Sequence, residues 1–218
     1  MEKSPVPLIG ALISGRGSNL GAIVDAITDG RLRARIAVVL SNRADAAGLA
    51  RADAAGIPTR VIPHRGFALR EDYDCALVAE LRQHHVSLVC LAGFMRLLGP
   101  TFCDAFPNAV LNIHPSLLPA FPGVDAQRQA LAHGVKVSGV TVHFVTPSLD
   151  DGPIVAQAAV DVRGDDTVES LSARILEAEH RLYPDAIGRI LQGGWRIDGR
   201  RVIFGPDNGL IGPQRHGR

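Results

Sequence analysis

The chain has 218 residues, of which 46% are hydrophobic, and its formal net charge at pH 7 is +1. This length suits one large α/β domain or two small ones, and the apolar content excludes intrinsic disorder. The nearly neutral balance argues against nucleic acid as a main partner, because such proteins usually carry a strong basic excess. A phosphate group would therefore be bound by one particular loop.

Targeting and redox features point to a cytoplasmic protein without a membrane partner. No segment approaches the roughly 18 apolar residues that a membrane span requires, and Ser14 interrupts the apolar stretch near the N-terminus. Cys75, Cys90 and Cys103 fit neither a zinc spacing nor a disulfide framework. We therefore expect them to be small buried hydrophobic residues in a reducing compartment.

Apolar runs and helical segments alternate through the first half of the chain. Strands are predicted at 6–14, 36–40, 59–62, 87–92 and 109–113, and helices at 18–28, 45–55 and 69–84. The strand segments lack polar alternation, which is typical of parallel strands that helices cover on both faces. This rhythm predicts a doubly wound, mostly parallel α/β sheet of the Rossmann-like kind.

The pattern changes after residue 135, where an antiparallel C-terminal extension is predicted. Strands at 136–145 and 154–162 flank a loop that contains Asp150 and Asp151. The short connection indicates that these two strands pair in opposite directions.

A long C-terminal helix is predicted at 167–192. Thr167 has the side chain of an N-cap, and Pro184 should kink or divide the helix. The segment 195–204 then has the pattern of a hairpin that turns at Asp198–Gly199.

Neither an internal repeat nor a low-complexity linker divides the chain. We therefore interpret residues 1–218 as a single domain. Its core is expected at about 6–192, followed by a hairpin and a loose tail at 193–218.

A glycine-rich loop, SGRGSNLG (14–21), follows the first predicted strand. Gly15 and Gly17 allow a sharp turn, and Ser18 and Asn19 open a helix whose free N–H groups attract an anion. A bound phosphate and a simple tight turn with Ser18 as cap fit these features equally well. A dinucleotide is disfavoured, because the glycine spacing differs from the fingerprint and no acidic residue ends the second strand.

The segment LNIHPSLLP (111–119) follows the fifth predicted strand. Asn112 and His114 project to one side, because side chains alternate along a strand. An amide N–H can stabilise an oxyanion and an imidazole can transfer protons, a pair that suits attack of a nucleophile on a carbonyl carbon. Asp150 or Asp151 could supply a carboxylate that favours the protonated imidazole. A structural histidine and an ordinary turn are the alternatives.

A family resemblance is carried by four motifs in order: SGRGSNL, LAGFMRLL, LNIHPSLLP and VHFV…LDDGPI. Together they resemble the phosphoribosylglycinamide formyltransferase family, from the first strand to about Pro184. HPSLLP is shared with other formyl-folate enzymes, whereas GSNL narrows the resemblance to the glycinamide ribonucleotide branch. The chain departs from the family at Arg16, where Asn is common.

The resemblance implies transfer of a formyl group from 10-formyltetrahydrofolate to the amine of glycinamide ribonucleotide, in de novo purine biosynthesis and without a metal. It implies a catalytic trio of Asn112, His114 and Asp150, since the family pattern Leu-Asp-x-Gly-Pro selects Asp150 over Asp151. The implied ribonucleotide-side residues are Gly17, Ser18, Asn19 and Glu179. The implied folate-side residues are Arg70, Met95, Arg96, Leu97, Leu98 and Asn112.

Other interpretations of single residues stay open at this point. Periodicity alone favours Met95, Leu97 and Leu98 as core residues, and Arg70 and Glu179 fit solvated helix faces. His143 is expected to line the cleft without a chemical role. The other histidines are expected at the surface: His64, His84, His85, His133, His180 and His216.

Three rival functions are weighed against formyl transfer to the ribonucleotide. A methionyl-tRNA formyltransferase should carry a further C-terminal β-domain and a basic surface, and a formyl-folate hydrolase an N-terminal regulatory domain. A non-catalytic module would use only the glycine loop to hold a nucleotide.

We expect small-molecule substrates as partners, and a monomer or homodimer.

Overall fold

The computed structural model describes residues 5–205. The strands are β1 (Leu8–Ile13), β2 (Arg35–Ser41), β3 (Thr59–Val61), β4 (Leu88–Leu91), β5 (Val110–His114), β6 (Val137–Phe144), β7 (Ile154–Asp161), β8 (Trp195–Asp198) and β9 (Arg201–Phe204). The α-helices are α1 (Ser18–Thr28), α2 (Ala47–Ala54), α3 (Arg70–Gln83), α4 (Pro100–Ala105), α5 (Ala126–Ala132) and α6 (Val168–Gln192). Every strand and helix predicted from the sequence is present, with ends that differ by at most two residues.

The strands form one mixed sheet in the order β3-β2-β1-β4-β5-β6-β7-β9-β8. The pairs from β3 to β5 are parallel, and β6 runs antiparallel to both β5 and β7. The chain builds β1 to β3 in one direction and then crosses back to add β4 beside β1. This reversal makes a topological switch point at the carboxyl ends of β1 and β4, and the predicted doubly wound sheet is confirmed.

Helices cover both faces of the parallel strands, which explains the apolar runs. From β1, Ile9, Ala11 and Ile13 enter the core cluster on the side of α1 and α6, whereas Leu12 enters the cluster on the side of α3 and α4. Because neighbouring side chains point to opposite faces, a strand buried on both faces needs apolar residues at every position.

Helix α6 begins with a reciprocal cap. The Ser170 N–H donates to Thr167 Oγ1 at 3.2 Å, and the Thr167 N–H donates to Ser170 Oγ at 3.0 Å. The predicted N-cap is therefore confirmed. Pro184 lies inside the helix without dividing it, so the predicted division is wrong and the predicted kink stays a prediction. The neighbours Tyr183 and Ala186 are buried in the core, and this packing holds the helix together across the missing N–H.

The C-terminal hairpin joins the sheet through a parallel pair between β9 and β7. Asp198 pairs with Arg201, so the turn residues are Gly199 and Arg200, one residue later than predicted. Gly199 has a φ of 60°, a conformation that favours glycine. The predicted tail beyond residue 205 lies outside the described residues.

Some features of the chain differ from the sequence-based expectations. Helices α4 and α5 were not predicted, because six or seven residues are too few to establish a helical period. Cys90 is buried as expected and Cys103 is half-buried, but Cys75 is exposed on α3.

Within residues 5–205, no helix combines the length and apolar character that crossing a membrane requires.

The surface prediction for the histidines is confirmed for His85 and His133, which are exposed. It is wrong for three that are half-buried by packing between elements: His64, His84 and His180. His216 lies outside the described residues.

Candidate active site

The glycine loop and the segment after β4 are tied together at the switch point. The Ser14 N–H donates to the Gly93 carbonyl at 3.1 Å, and the Met95 N–H donates to Ser14 Oγ at 2.8 Å. A cavity of about 310 Å³ lies between the two segments, lined by residues 14–19, Ala92, Gly93 and Met95. The predicted loop residues Gly17, Ser18 and Asn19 therefore share one cavity.

Gly17 is the N-cap of α1 and can hardly be replaced. Its φ is 69°, and a Cβ at this position would lie 2.6 Å from the Gly48 Cα. No side chain among the described residues caps α1, and Ser18 is the first helical residue rather than the cap that the tight-turn alternative required. The N–H groups at the start of α1 are thus available to an anion in the cavity.

Glu179 reaches the same loop from α6, 160 residues away in sequence. Asn19 Nδ2 donates to Glu179 Oε2 at 2.7 Å, and Glu179 is only 7% exposed. The alternative of a solvated helix face is therefore wrong. Burial raises the pKa of Glu179, and the hydrogen bond from Asn19 opposes this shift.

A second cavity of about 580 Å³ adjoins the first at Gly93 and Met95. The exposed segment Met95–Leu97 lines one wall, with Met95 at 70% and Leu97 at 50% exposure. The core interpretation is wrong for these two residues, whereas Leu98 lines the cavity and also belongs to the core. Exposed apolar side chains around a cavity suit a flat, largely apolar ligand.

Arg70 is not among the described residues that line either cavity. It lies at the start of α3, one turn before Asp74, whose Oδ2 accepts the Gly99 N–H at 2.7 Å. Burial raises the pKa of Asp74, and the Gly99 N–H opposes this shift. Asp74 thus anchors the end of the Met95–Leu97 segment. No sequence pattern identifies this role of Asp74, since an acid in an amphipathic helix usually faces solvent.

Asn112 and His143 are direct partners across β5 and β6, and both line the larger cavity. Asn112 Nδ2 lies 3.1 Å from His143 Nε2. His114 projects from the same side of β5 but is buried behind the cavity wall. His143 thus lines the cleft as predicted from its position.

The loop after β6 brings Asp150 to the histidine. Val145 hydrogen-bonds to Val110 at the start of β5, and the loop then folds back so that Asp150 Oδ2 lies 3.4 Å from His114 Nδ1. Asp150 lines the cavity. Asp151 instead points outward and pairs with Arg200 at 2.7 Å. The structure therefore brings Asn112, His114 and Asp150 together and leaves Asp151 outside.

The loop at residues 121–123 holds both members of the His114–Asp150 pair. The Phe121 carbonyl lies 2.8 Å from His114 Nε2, and the Gly123 N–H donates to Asp150 Oδ2 at 2.7 Å. A ring with a hydrogen on each nitrogen can donate to the carbonyl and the carboxylate at once. Sequence reasoning missed these backbone groups, because no residue type identifies a backbone donor or acceptor.

The chain as a whole is similar to known formyl transferases. The model of the formyl transferase family matches residues 9–187. The phosphoribosylglycinamide formyltransferase of Escherichia coli is 45% identical over 87% of this chain and 86% of that protein. The crystal structure of glycinamide ribonucleotide transformylase 1 from Symbiobacterium toebii superposes with a TM-score of 0.90, at 55% identity, over 91% of this chain and 94% of that one.

A longer relative matches over part of its length only. The human trifunctional purine biosynthetic protein adenosine-3 is 46% identical over 85% of this chain, but the match spans 18% of that protein. The chain thus spans about a fifth of the length of the trifunctional relatives that it matches. Since the family model covers most of the chain and the bacterial relative matches nearly end to end, the chain belongs to the formyl transferase family, in the branch of the phosphoribosylglycinamide formyltransferases.

Proposed function

We propose that this chain transfers the formyl group of 10-formyltetrahydrofolate to the amine of glycinamide ribonucleotide, a step of de novo purine biosynthesis. The observation that carries the proposal is the meeting of Asn112 and the His114–Asp150 pair beside two adjoining cavities. The relatives named phosphoribosylglycinamide formyltransferase support the same assignment.

The smaller cavity suits the ribonucleotide. Its phosphate binds the N–H groups at the start of α1, where the helix dipole and Gly17, Ser18 and Asn19 favour an anion. Glu179 holds Asn19 by a hydrogen bond and is proposed to contact the sugar side of the substrate. The glycinamide amine then extends past Gly93 towards the larger cavity.

The larger cavity suits the formyl folate. Its apolar wall at Met95, Leu97 and Leu98 takes the pterin ring, and the polar backbone of this segment meets the ring edge. Arg96 borders the cavity, and Arg70 lies outside it, so Arg70 is proposed to contact the distal part of the folate only. The ends of the two substrates meet at Asn112.

The reaction is an attack of the amine nitrogen on the formyl carbon. The carbonyl oxygen becomes an oxyanion, which an N–H of Asn112 stabilises, a contact worth roughly a hundredfold to thousandfold in rate. Asp150 lines the cavity and takes the proton of the attacking amine, and His114 behind it shares the proton. The proton is returned to the folate nitrogen as its bond to the formyl carbon breaks, which yields formylglycinamide ribonucleotide and tetrahydrofolate.

The partners in this proposal are two small molecules, and residues 1–218 act as a single domain. No step is assigned to a metal ion. Neither a tRNA nor a membrane takes part in the reaction.

The test is an assay of the purified chain with 10-formyltetrahydrofolate and glycinamide ribonucleotide, in which release of tetrahydrofolate is followed. We expect release that depends on the ribonucleotide. Release with water alone would indicate a hydrolase, and release with methionyl-tRNA a tRNA formyltransferase. Binding of both compounds without release would indicate a non-catalytic module, and each of these three results would overturn the proposal.

A further inference from the structure

The His143 ring is held in one protonation pattern by its surroundings. His143 is 2% exposed, and its Nδ1 lies 2.9 Å from the Phe144 carbonyl oxygen, which can only accept a hydrogen bond. A neutral ring therefore carries its hydrogen on Nδ1. Its Nε2 is left as an acceptor and faces Asn112 Nδ2 at 3.1 Å.

An acceptor at this position determines how the Asn112 amide is turned. The amide has an NH₂ end that donates and an oxygen end that accepts, and only the NH₂ end can pair with an unprotonated Nε2. One N–H is used by His143, and the second N–H of the same group stays free for a ligand in the cavity that Asn112 lines. A 180° turn of the amide would present an oxygen to a developing oxyanion.

We propose that His143 is a positioning residue, which as a neutral acceptor holds the Asn112 amide with an N–H towards the formyl oxygen. The inference rests on the proposed function and adds a role for a side chain outside the catalytic trio. His143 acts through Asn112 and does not touch the reacting atoms.

Burial favours the neutral form of the His143 ring. Burial lowers the pKa of His143, and the neighbouring His114 adds to this effect. The Phe144 carbonyl and the Asp150 carboxylate, whose Oδ1 lies 3.7 Å from Nε2, act in the opposite direction. Since burial is the largest influence and lowers the pKa below that of an ordinary histidine, Nε2 remains an acceptor near pH 7.

Two polar substitutions distinguish the role of Nε2 from the role of Nδ1. His143→Gln places an amide oxygen near the position of Nε2, whereas His143→Asn is too short and reaches only the position of Nδ1. We expect His143→Gln to keep most of the wild-type kcat. His143→Asn should lower kcat about tenfold to a hundredfold, with the KM of both substrates little changed, because the oxyanion donor loses its orientation.

The matched control is Val142→Ala, the neighbouring β6 position, whose side chain is buried in the core on the opposite face. It should lower Tm through lost packing but leave kcat close to the wild-type value. Equal kcat values for the Gln and Asn variants would overturn the inference. So would a loss in Val142→Ala that matches the loss in His143→Asn.

A double-mutant cycle of kcat values distinguishes positioning of Asn112 from a purely structural role of His143. In an Asn112→Ala background, His143→Asn should cause no further loss of kcat, whereas independent roles would give losses that multiply. Nitrogen NMR of the His143 ring at pH 7 gives a test that needs no activity: hydrogen on Nδ1 supports the inference and hydrogen on Nε2 overturns it. The formyl transfer rate of the wild-type chain tests the proposed function, whereas the variants test the role of His143. Failure of the proposed function can therefore be distinguished from failure of the inference about His143.

Discussion

The glycine loop at residues 14–19 comes from one continuous segment, whereas the catalytic trio comes from two segments, β5 and the loop after β6, that the fold brings together. The loop offers mainly backbone N–H groups at the start of α1, in a turn that needs glycine at position 17. The reacting centre offers side chains, and each is held by a group from another segment: His143, Phe121 and Gly123. Anion binding by the loop should therefore depend mainly on its backbone path, whereas the reacting centre should not tolerate the loss of a single polar atom.

The largest effect is expected at the reacting centre. His114→Ala removes the ring that shares a proton with Asp150, and kcat should fall roughly a hundredfold to ten-thousandfold. Steady-state kinetics measures the loss, and circular dichroism and Tm check that the fold is intact. Near-wild-type turnover in a folded variant would refute the role of His114. It would also show that the reacting centre does not depend on its side chains more than the glycine loop does.

A smaller effect is expected in the loop, through binding rather than chemistry. In Gly17→Ala, the positive φ and the 2.6 Å approach to Gly48 force the backbone to move. Backbone strain of about 1–3 kcal/mol corresponds to a rise of about fivefold to 150-fold in the KM of the ribonucleotide.

The matched control for this prediction is Gly15→Ala. A Cβ at Gly15 has no heavy atom within 4 Å, and its φ is not in the positive range. Gly15→Ala should therefore change the KM of the ribonucleotide much less than Gly17→Ala does. Similar KM values for the two variants would mean that the path of the loop backbone does not determine binding.

The smallest effect concerns Glu179, the buried acid beside the loop. Its pKa is raised in the folded protein, so the unfolded chain loses its proton at a lower pH than the folded protein does. Ionised Glu179 thus weakens folding above its folded pKa, and this loss disappears below the ordinary pKa of glutamate. Glu179→Gln should raise Tm at pH 7 by a few degrees, about 2–4 °C for each kcal/mol, and the difference should vanish near pH 4.

Thermal unfolding at both pH values measures this effect, with the exposed Glu177→Gln as control. If Glu179 is retained for the ribonucleotide, the stabilised variant should also bind that substrate more weakly. A Tm at pH 7 equal to or below the wild-type value would show that the buried carboxylate does not weaken the fold.

The same contrast explains how much the sequence could predict. The parallel strands and α1 follow from apolar runs and from glycine positions, because the forces that shape them act within a short segment. The family motifs supplied Asn112, His114 and Asp150 as candidates, and the alternation of β5 placed the first two on one side. The contact between Glu179 and Asn19 could not be predicted from local patterns, because it depends on how α6 packs against α1.

The backbone contacts of Phe121 and Gly123 were also beyond the sequence, since every residue has the same backbone groups. Asp74 was missed for a related reason: its burial depends on the packing of α3 against α4 rather than on its neighbours in sequence. Local rules thus predicted the scaffold and the loop. The groups that hold the catalytic side chains in place could be identified only from the strand register and the long-range packing of the structure.

Of the two adjacent aspartates, only Asp150 is placed at the reacting centre. The most direct measurement is the kcat of formyl transfer for Asp150→Asn beside Asp151→Asn. Asp150 contacts His114 and lines the cavity, whereas Asp151 is exposed and pairs with Arg200. We predict a loss of about a hundredfold or more for Asp150→Asn and a value close to wild type for Asp151→Asn. Similar losses in both variants, or a loss only in Asp151→Asn, would contradict the assignment of Asp150 to the reacting centre.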